Sequence, residues 1–113
     1  MKSCPSQYRC PMEATLDLIG GKYKALALWH LREGALRFSQ LQRLMPGVTP
    51  KMLTQQLRDL ERDGLLSRTV FPVVPPHVEY SLTELGQSIE PVLAAMCDWG
   101  KVFLADWSET KNP

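Results

Sequence analysis

The stretch that most restricts how this chain can fold is Pro46-Gly47-Val48-Thr49-Pro50. Pro46-Gly47 ends whatever helix precedes it, because proline cannot continue a helix and glycine suits the residue that follows one. Thr49 is a good N-cap, and Pro50 takes the first position of a new helix, where a missing N–H leaves nothing unpaired. Val48 before the cap and Leu53 at the fourth helical position can close a hydrophobic staple. The segment "LRFSQLQRLMPGVTPKMLTQQLRDLERDG" is therefore two helices joined through "PGV" alone, a helix-turn-helix by local chemistry. In the first of them Ser39 is expected as N-cap. Gln42 would complete its capping box, and Leu41 and Leu44 would point inward.

The second helix has two unlike sides. At 100° per residue, Leu57 and Leu60 fall within about 40° of Leu53 and form a core stripe. Lys51, Gln55, Arg58 and Arg62 gather opposite, about 140–200° away. On an isolated helix such a band reads as a solvated face, with Asp59, Glu61 and Asp63 pairing some of its cations. After a three-residue turn it reads as an edge for a DNA groove. Gln can bond adenine in a pair, Arg can do so with guanine, and Lys attracts phosphate. The N-terminal half lies deepest in the major groove in such modules. That points to Lys51, Thr54, Gln55 and Arg58 for bases, with Thr49 and Arg62 nearer phosphates. Ser39, at the start of the preceding helix, is counted with the DNA-facing residues.

The flanks complete the outline. Pro11 opens a first helix whose Met12, Leu16 and Ile19 share a face, and Gly20-Gly21 stops it. "KALALWHLRE" is an apolar helix suited to the centre of a small domain, with His30 in its core or at its edge. After Gly64 the period changes from 3.6 to 2. "LLSRTVF" and "VEYSL" read as strands around "PVVPPH", whose prolines favour a stiff extended tip. This is a β-hairpin wing, with Arg68 and His77 as donors for DNA. A wing arginine suits a narrow minor groove, whereas His77 can equally be an exposed loop residue. Thr83 then caps a final segment. Its Leu85, Ile89, Val92, Met96, Trp99 and Phe103 follow a heptad-like seam, broken near Pro91. The seam exceeds what a small core needs, so part of it is expected to meet a second copy.

Composition sets the outer limits. A chain of 113 residues, 44% of them apolar, suits one small folded domain. Net charge is only +1, but it is unevenly spread. Residues 18–58 hold seven Lys and Arg against Glu33 alone, a local +6, and residues 83–113 hold two against five acids, a local −3. That asymmetry suits one basic working face. No apolar run approaches the roughly 20 residues of a membrane span. The start "MKSCPSQYRCPMEAT" lacks the apolar core of a secretory signal, so a cytoplasmic, nucleoid-associated address with no membrane partner is expected. The three cysteines, Cys4, Cys10 and Cys97, are too few for a disulfide framework. Cys97 is expected to be a buried packing residue. No phosphate loop, paired-histidine zinc helix or nucleophile elbow is present, so no enzyme, cofactor or metal site is expected.

The segments "CPMEATLDLIGGKYK", "LRFSQLQRLMPGVTPKMLTQQLRDLERDGLLSR" and "PPHVEYSLTELG" resemble the HxlR-type winged-helix transcriptional regulators. The resemblance runs from about Cys10 to Trp99. It implies a bacterial regulator that binds double-stranded DNA as a homodimer, paired through its first and last helices, with two recognition helices on the half-sites of an inverted repeat. Met12, Leu16 and Ile19 would join the final seam in that interface. Several such regulators sense electrophiles, quinones or oxidants through a cysteine in a "CP" element before the first helix, which Cys10-Pro11 matches. Helix N-termini favour thiolates in general, and Arg9 lies beside this one. Cys4 could resolve an oxidised Cys10 only if the N-terminal arm moves.

The fold class expected is mainly α with a small β-hairpin wing (α+β). It is a winged helix-turn-helix with extra N- and C-terminal dimerisation helices. Residues 1–10 would be an arm, 11–107 the domain and 108–113 a tail. Within the domain the helix-turn-helix would span 39–63, the wing 65–82 and the dimerisation helices 83–107. Two other readings stay open, a metal- or ligand-responsive winged helix with an effector no motif names, and a protein-interaction module that does not bind DNA.

Overall fold

The structure is a computed structural model and describes residues 8–111, with side chains through residue 107. Nine elements follow in order: α1 (Pro11–Ile19), α2 (Lys22–His30), β1 (Leu36–Arg37), α3 (Phe38–Leu44), α4 (Pro50–Arg62), β2 (Leu66–Phe71), β3 (His77–Leu82), α5 (Glu84–Ser88) and α6 (Glu90–Lys111). The fold is mostly helical, with a small antiparallel sheet in the order β1-β3-β2.

The core forms where the apolar stripes of the helices meet. Ala27, Leu28 and Leu31 from α2 and its end pack with Leu41 and Met45 around α3. Leu53, Leu57 and Leu60 of α4 join them, as do Leu65 and Leu66 at the start of the wing. Val48 and Leu53 are both buried in the same core cluster, as the staple expected across the Thr49 cap requires. The Thr49 side chain accepts from the Met52 N–H at 3.1 Å, which satisfies one orphan donor of α4. Gly64, at φ 84, ends α4 in the left-handed region where only glycine is unstrained. Thr83 then ties the sheet back to it. Its hydroxyl donates to the Gly64 carbonyl at 2.6 Å and accepts from the Gly86 N–H at 3.1 Å. Gly86 must be a glycine, since a Cβ there would lie 2.1 Å from the Leu65 carbonyl oxygen.

Three expectations from the sequence need correction. First, α3 begins at Phe38, with Arg37 and not Ser39 as its N-cap. Leu36 and Arg37 pair with Tyr80 and Glu79 of β3, so the chain leaves a strand directly into the helix, two residues earlier. Gln40, not Gln42, closes the helix start, its oxygen accepting from the Arg37 N–H at 2.8 Å. The Gln42 amide instead donates to the Val48 carbonyl and braces the turn. Second, Leu44 is half exposed, and Met45 fills the inward place. Third, Cys97 is half-buried, at the lip of an apolar groove with Ala25, Leu26, Trp29, Leu93 and Met96.

The final segment breaks at Ile89, and Pro91 sits in the first turn of α6, where proline is tolerated. Leu93 is buried, but Val92, Met96, Trp99 and Phe103 are exposed, as are Met12 and Leu16 of α1. Trp99 stacks on Phe103 with centroids 5.7 Å apart, and Trp107 extends the same row. No helix of the described residues is long and apolar enough to cross a membrane.

Candidate nucleic-acid interface

The side of α4 opposite its buried leucines is open to solvent. Lys51, Gln55, Arg58 and Arg62 are all exposed there, in the narrow band their spacing requires. Within that band the four differ. Lys51 and Arg58 make no ion pair or side-chain hydrogen bond among the described residues. Gln55 and Arg62 are both held by Asp59. Its Oδ1 accepts from Gln55 Nε2 at 3.0 Å and from Arg62 Nη2 at 2.9 Å, and its Oδ2 lies 3.7 Å from Lys24 Nζ on α2. Partial burial pushes the Asp59 carboxyl up. The Gln55 hydrogen bond and the positive Lys24 and Arg62 outweigh that and hold it below its ordinary value. Thr54 is half-buried, with its hydroxyl donating to the Pro50 carbonyl at 2.8 Å. Ser39 is exposed on α3.

The wing places its two donors on opposite faces. Arg68 faces Tyr80 across β2 and β3, while His77 faces Phe71, three residues further along β2. Arg68 therefore stands at the base of the wing, beside α4. With Thr54, Arg58, Glu61 and Tyr80 it lines a polar hollow of about 430 Å³. The His77 ring stacks on Phe71 at 4.7 Å, and its Nε2 is 3.2 Å from Glu79 Oε2. The tip between Phe71 and His77 presents Val73 and Val74.

The basic stretch 18–58 divides the same way. Lys24 is committed to Asp59. Arg32 lies 3.7 Å over the Trp29 ring, donates to the Trp29 carbonyl at 2.8 Å and pairs with Glu33. Burial first, and the Arg32 charge second, hold the nearby His30 below its ordinary value. Lys22, its Nζ 5.7 Å over the Tyr23 ring, and Arg37, Arg43, Lys51 and Arg58 remain exposed, so the open basic face is smaller than the residue count suggests. At the other end of the domain, Cys10 is exposed as the N-cap of α1. Arg9 beside it is directed to Glu13, at 3.2 Å, and not to the thiol. Cys4 lies outside the described residues. Among the described residues no group of His, Cys, Asp and Glu could hold a metal ion.

A family model for HxlR-like helix-turn-helix proteins matches residues 18–108, most of the chain. The chain belongs to the HxlR-like family. It is a transcriptional regulator of the helix-turn-helix type, and its relatives are regulators, not enzymes. The HTH-type transcriptional regulator YdeP of Bacillus subtilis (strain 168) is 54% identical over 94 residues, covering 83% of this chain and 73% of that protein. Crystal coordinates of the HTH-type regulator YtcD superpose with a TM-score of 0.80 at 51% identity, over 85% of this chain and 98% of that one. The redox regulator HypR in its oxidized form gives a TM-score of 0.80 at 49% identity, over 82% and 96%. The HxlR-like chain thus shares its winged-helix fold with these structures at high sequence identity.

The sequence named Asp59 as a partner for cations but not as the group that holds Gln55, and it did not single out Tyr80. The Asp59 role had a signal in the sequence, since Gln55 and Arg62 lie four residues before it and three after it on the same helix. Tyr80 had none, because its place in the hollow depends on strand register and on how the wing meets α4.

Proposed function

We propose that this regulator binds a specific double-stranded DNA operator as a homodimer. Residues 49–63 would lie in the major groove and the wing, 65–82, near the minor groove. Two copies joined through 83–107 and α1 would read the halves of an inverted repeat. The winged helix-turn-helix domain would be 11–107, with 1–10 as arm and 108–113 as tail.

The observation that carries this reading is the contrast within the cations near α4. Lys24 and Arg62 are paired, as the cations of a merely solvated face would be, whereas Lys51 and Arg58 project without an acidic partner among the described residues. Both sit on the side turned away from the core, on a helix aimed by the Thr49 cap and flanked by Arg68. Two exposed cations without an ion-pair partner, Arg58 lining a polar hollow with Arg68 and the single acid Glu61, suit a polyanion. Thr49, Thr54, Gln55 and Arg62 complete the proposed contact set from α4. Ser39 adds a contact from α3, and Arg68 and His77 add contacts from the wing. A signal through Cys10 is part of the proposal. Its thiol is exposed at the start of α1, next to the exposed Met12 and Leu16, and the similar HypR is a redox regulator.

Fluorescence anisotropy on a selected operator and on a random duplex tests the contact set. Gln55→Ala and Arg58→Ala should each lose about 1–3 kcal/mol on the operator and much less on random sequence. Equal losses on both duplexes would remove the base-reading role. Operator affinity that does not weaken as salt rises would point to a protein-interaction module instead.

A further inference from the structure

Asp59 stands where the polar band of α4 meets α2. Its Oδ1 accepts from both Gln55 and Arg62, and its Oδ2 faces Lys24. The side chains of Lys24 and Asp59 are only 16% and 17% exposed, unlike the surface pair of Lys101 and Asp98 at 74% and 77%. Loose solvated pairs do little to fix geometry. This carboxylate is held from two helices at once.

Its chemistry decides which way Gln55 points. A glutamine amide can turn over, exchanging oxygen for nitrogen with little steric consequence. An ionised carboxylate has only lone pairs to offer, so the nitrogen of Gln55 must face Asp59. The Gln55 oxygen and its second N–H are then the atoms left for another partner. An acceptor beside a donor matches adenine in the major groove, where N6 donates and N7 accepts. Guanine presents two acceptors on that edge and would repel the amide oxygen.

We propose that Asp59 is a positioning residue that fixes the Gln55 amide for adenine and so sets a base preference without touching DNA. The inference rests on the reading of α4 as the groove-facing helix. Lys24 anchors the carboxylate from α2, which builds the preference into the packing of two helices. The negative charge of Asp59 opposes DNA affinity in general. Positioning and mere support of the fold therefore predict different outcomes on random sequence when that charge is removed.

The test measures binding to a panel of duplexes in which each base pair of the selected operator is varied. Gln55→Ala should flatten the preference at one or more A·T pairs. Asp59→Asn is nearly isosteric but lets the amide turn over. It should lose about tenfold of the preference for adenine at the same pair, with guanine gaining there. It should keep the preferences elsewhere and bind random duplex as tightly as wild type or more tightly. Lys24→Gln loosens the carboxylate from the α2 side and should shift the same pair in the same direction. It carries the test alone if circular dichroism shows that Asp59→Asn does not fold. An unchanged base profile in the folded variants would overturn the inference, as would an even loss on operator and random duplex. If Gln55→Ala flattens a pair that Asp59→Asn leaves intact, the positioning role alone fails. If Gln55→Ala flattens no pair, Gln55 reads no base and the positioning role fails with it; if Arg58→Ala flattens none either, the groove-facing reading of α4 fails.

Discussion

Cys10 is where single-residue chemistry bears most directly on function. Its backbone is extended, at φ −156 and ψ 162, and its carbonyl accepts from the Glu13 N–H at 3.0 Å, so it marks the turn into α1. The thiol is exposed and open to reagents. Diamide or a quinone should weaken operator binding by the wild type and leave Cys10→Ser unaffected. A response of wild-type size in Cys10→Ser would exclude this thiol as the sensor. The helix start at Pro11 was legible from proline alone. The direction of Arg9 was not, because Glu13 competes for it one turn on. Gln42 has the same lesson. Its spacing from Ser39 suits a capping side chain, but its amide meets Val48 across the turn, and only the packed turn brings those two together.

Among the elements, α4 was the most legible and is the most consequential. A cap, a proline at the first position and a leucine stripe all name the same helix, and the chain folds there as they require. Thr49→Ala should cost about 1 kcal/mol in urea unfolding. Leu57→Ala, which empties a fully buried site, should cost roughly 2–5 kcal/mol. A cap loss as large as the core loss would mean that the turn, and not the stripe, holds α4. A break near Pro91 was equally plain, and it falls at Ile89, just before it. By contrast, β1 has two residues, too few for any periodic signal, and exists only through its pairing with β3. That pairing moved the start of α3 away from Ser39. The hairpin was legible as two strands, but which face Arg68 and His77 occupy depends on the register across the tip, with Phe71 opposite His77. Alternation within each strand could not supply that register.

The molecule as a whole has two unlike surfaces. One carries the exposed cations of α4 beside Arg68. The other is apolar, the exposed row of Met96, Trp99 and Phe103 on α6, and Met12 and Leu16 of α1 are exposed as well. A monomer rarely leaves so many large side chains in water, and a second copy would cover them. The heptad-like spacing exposed this stripe in the sequence, while the share of it that its own core takes, Leu93 above all, emerged only from packing. In the proposed account the apolar surface sets the distance between two basic ones. Selection from a randomised duplex library tests that most directly. Wild type should enrich an inverted repeat with half-sites about 34 Å, one helical turn or a multiple of it, apart. Trp99→Glu, which alters a residue 68% exposed and should fold as a monomer by sedimentation, should enrich at most a single half-site. No enriched sequence with the wild type, or an asymmetric one bound by a single copy, would contradict the account.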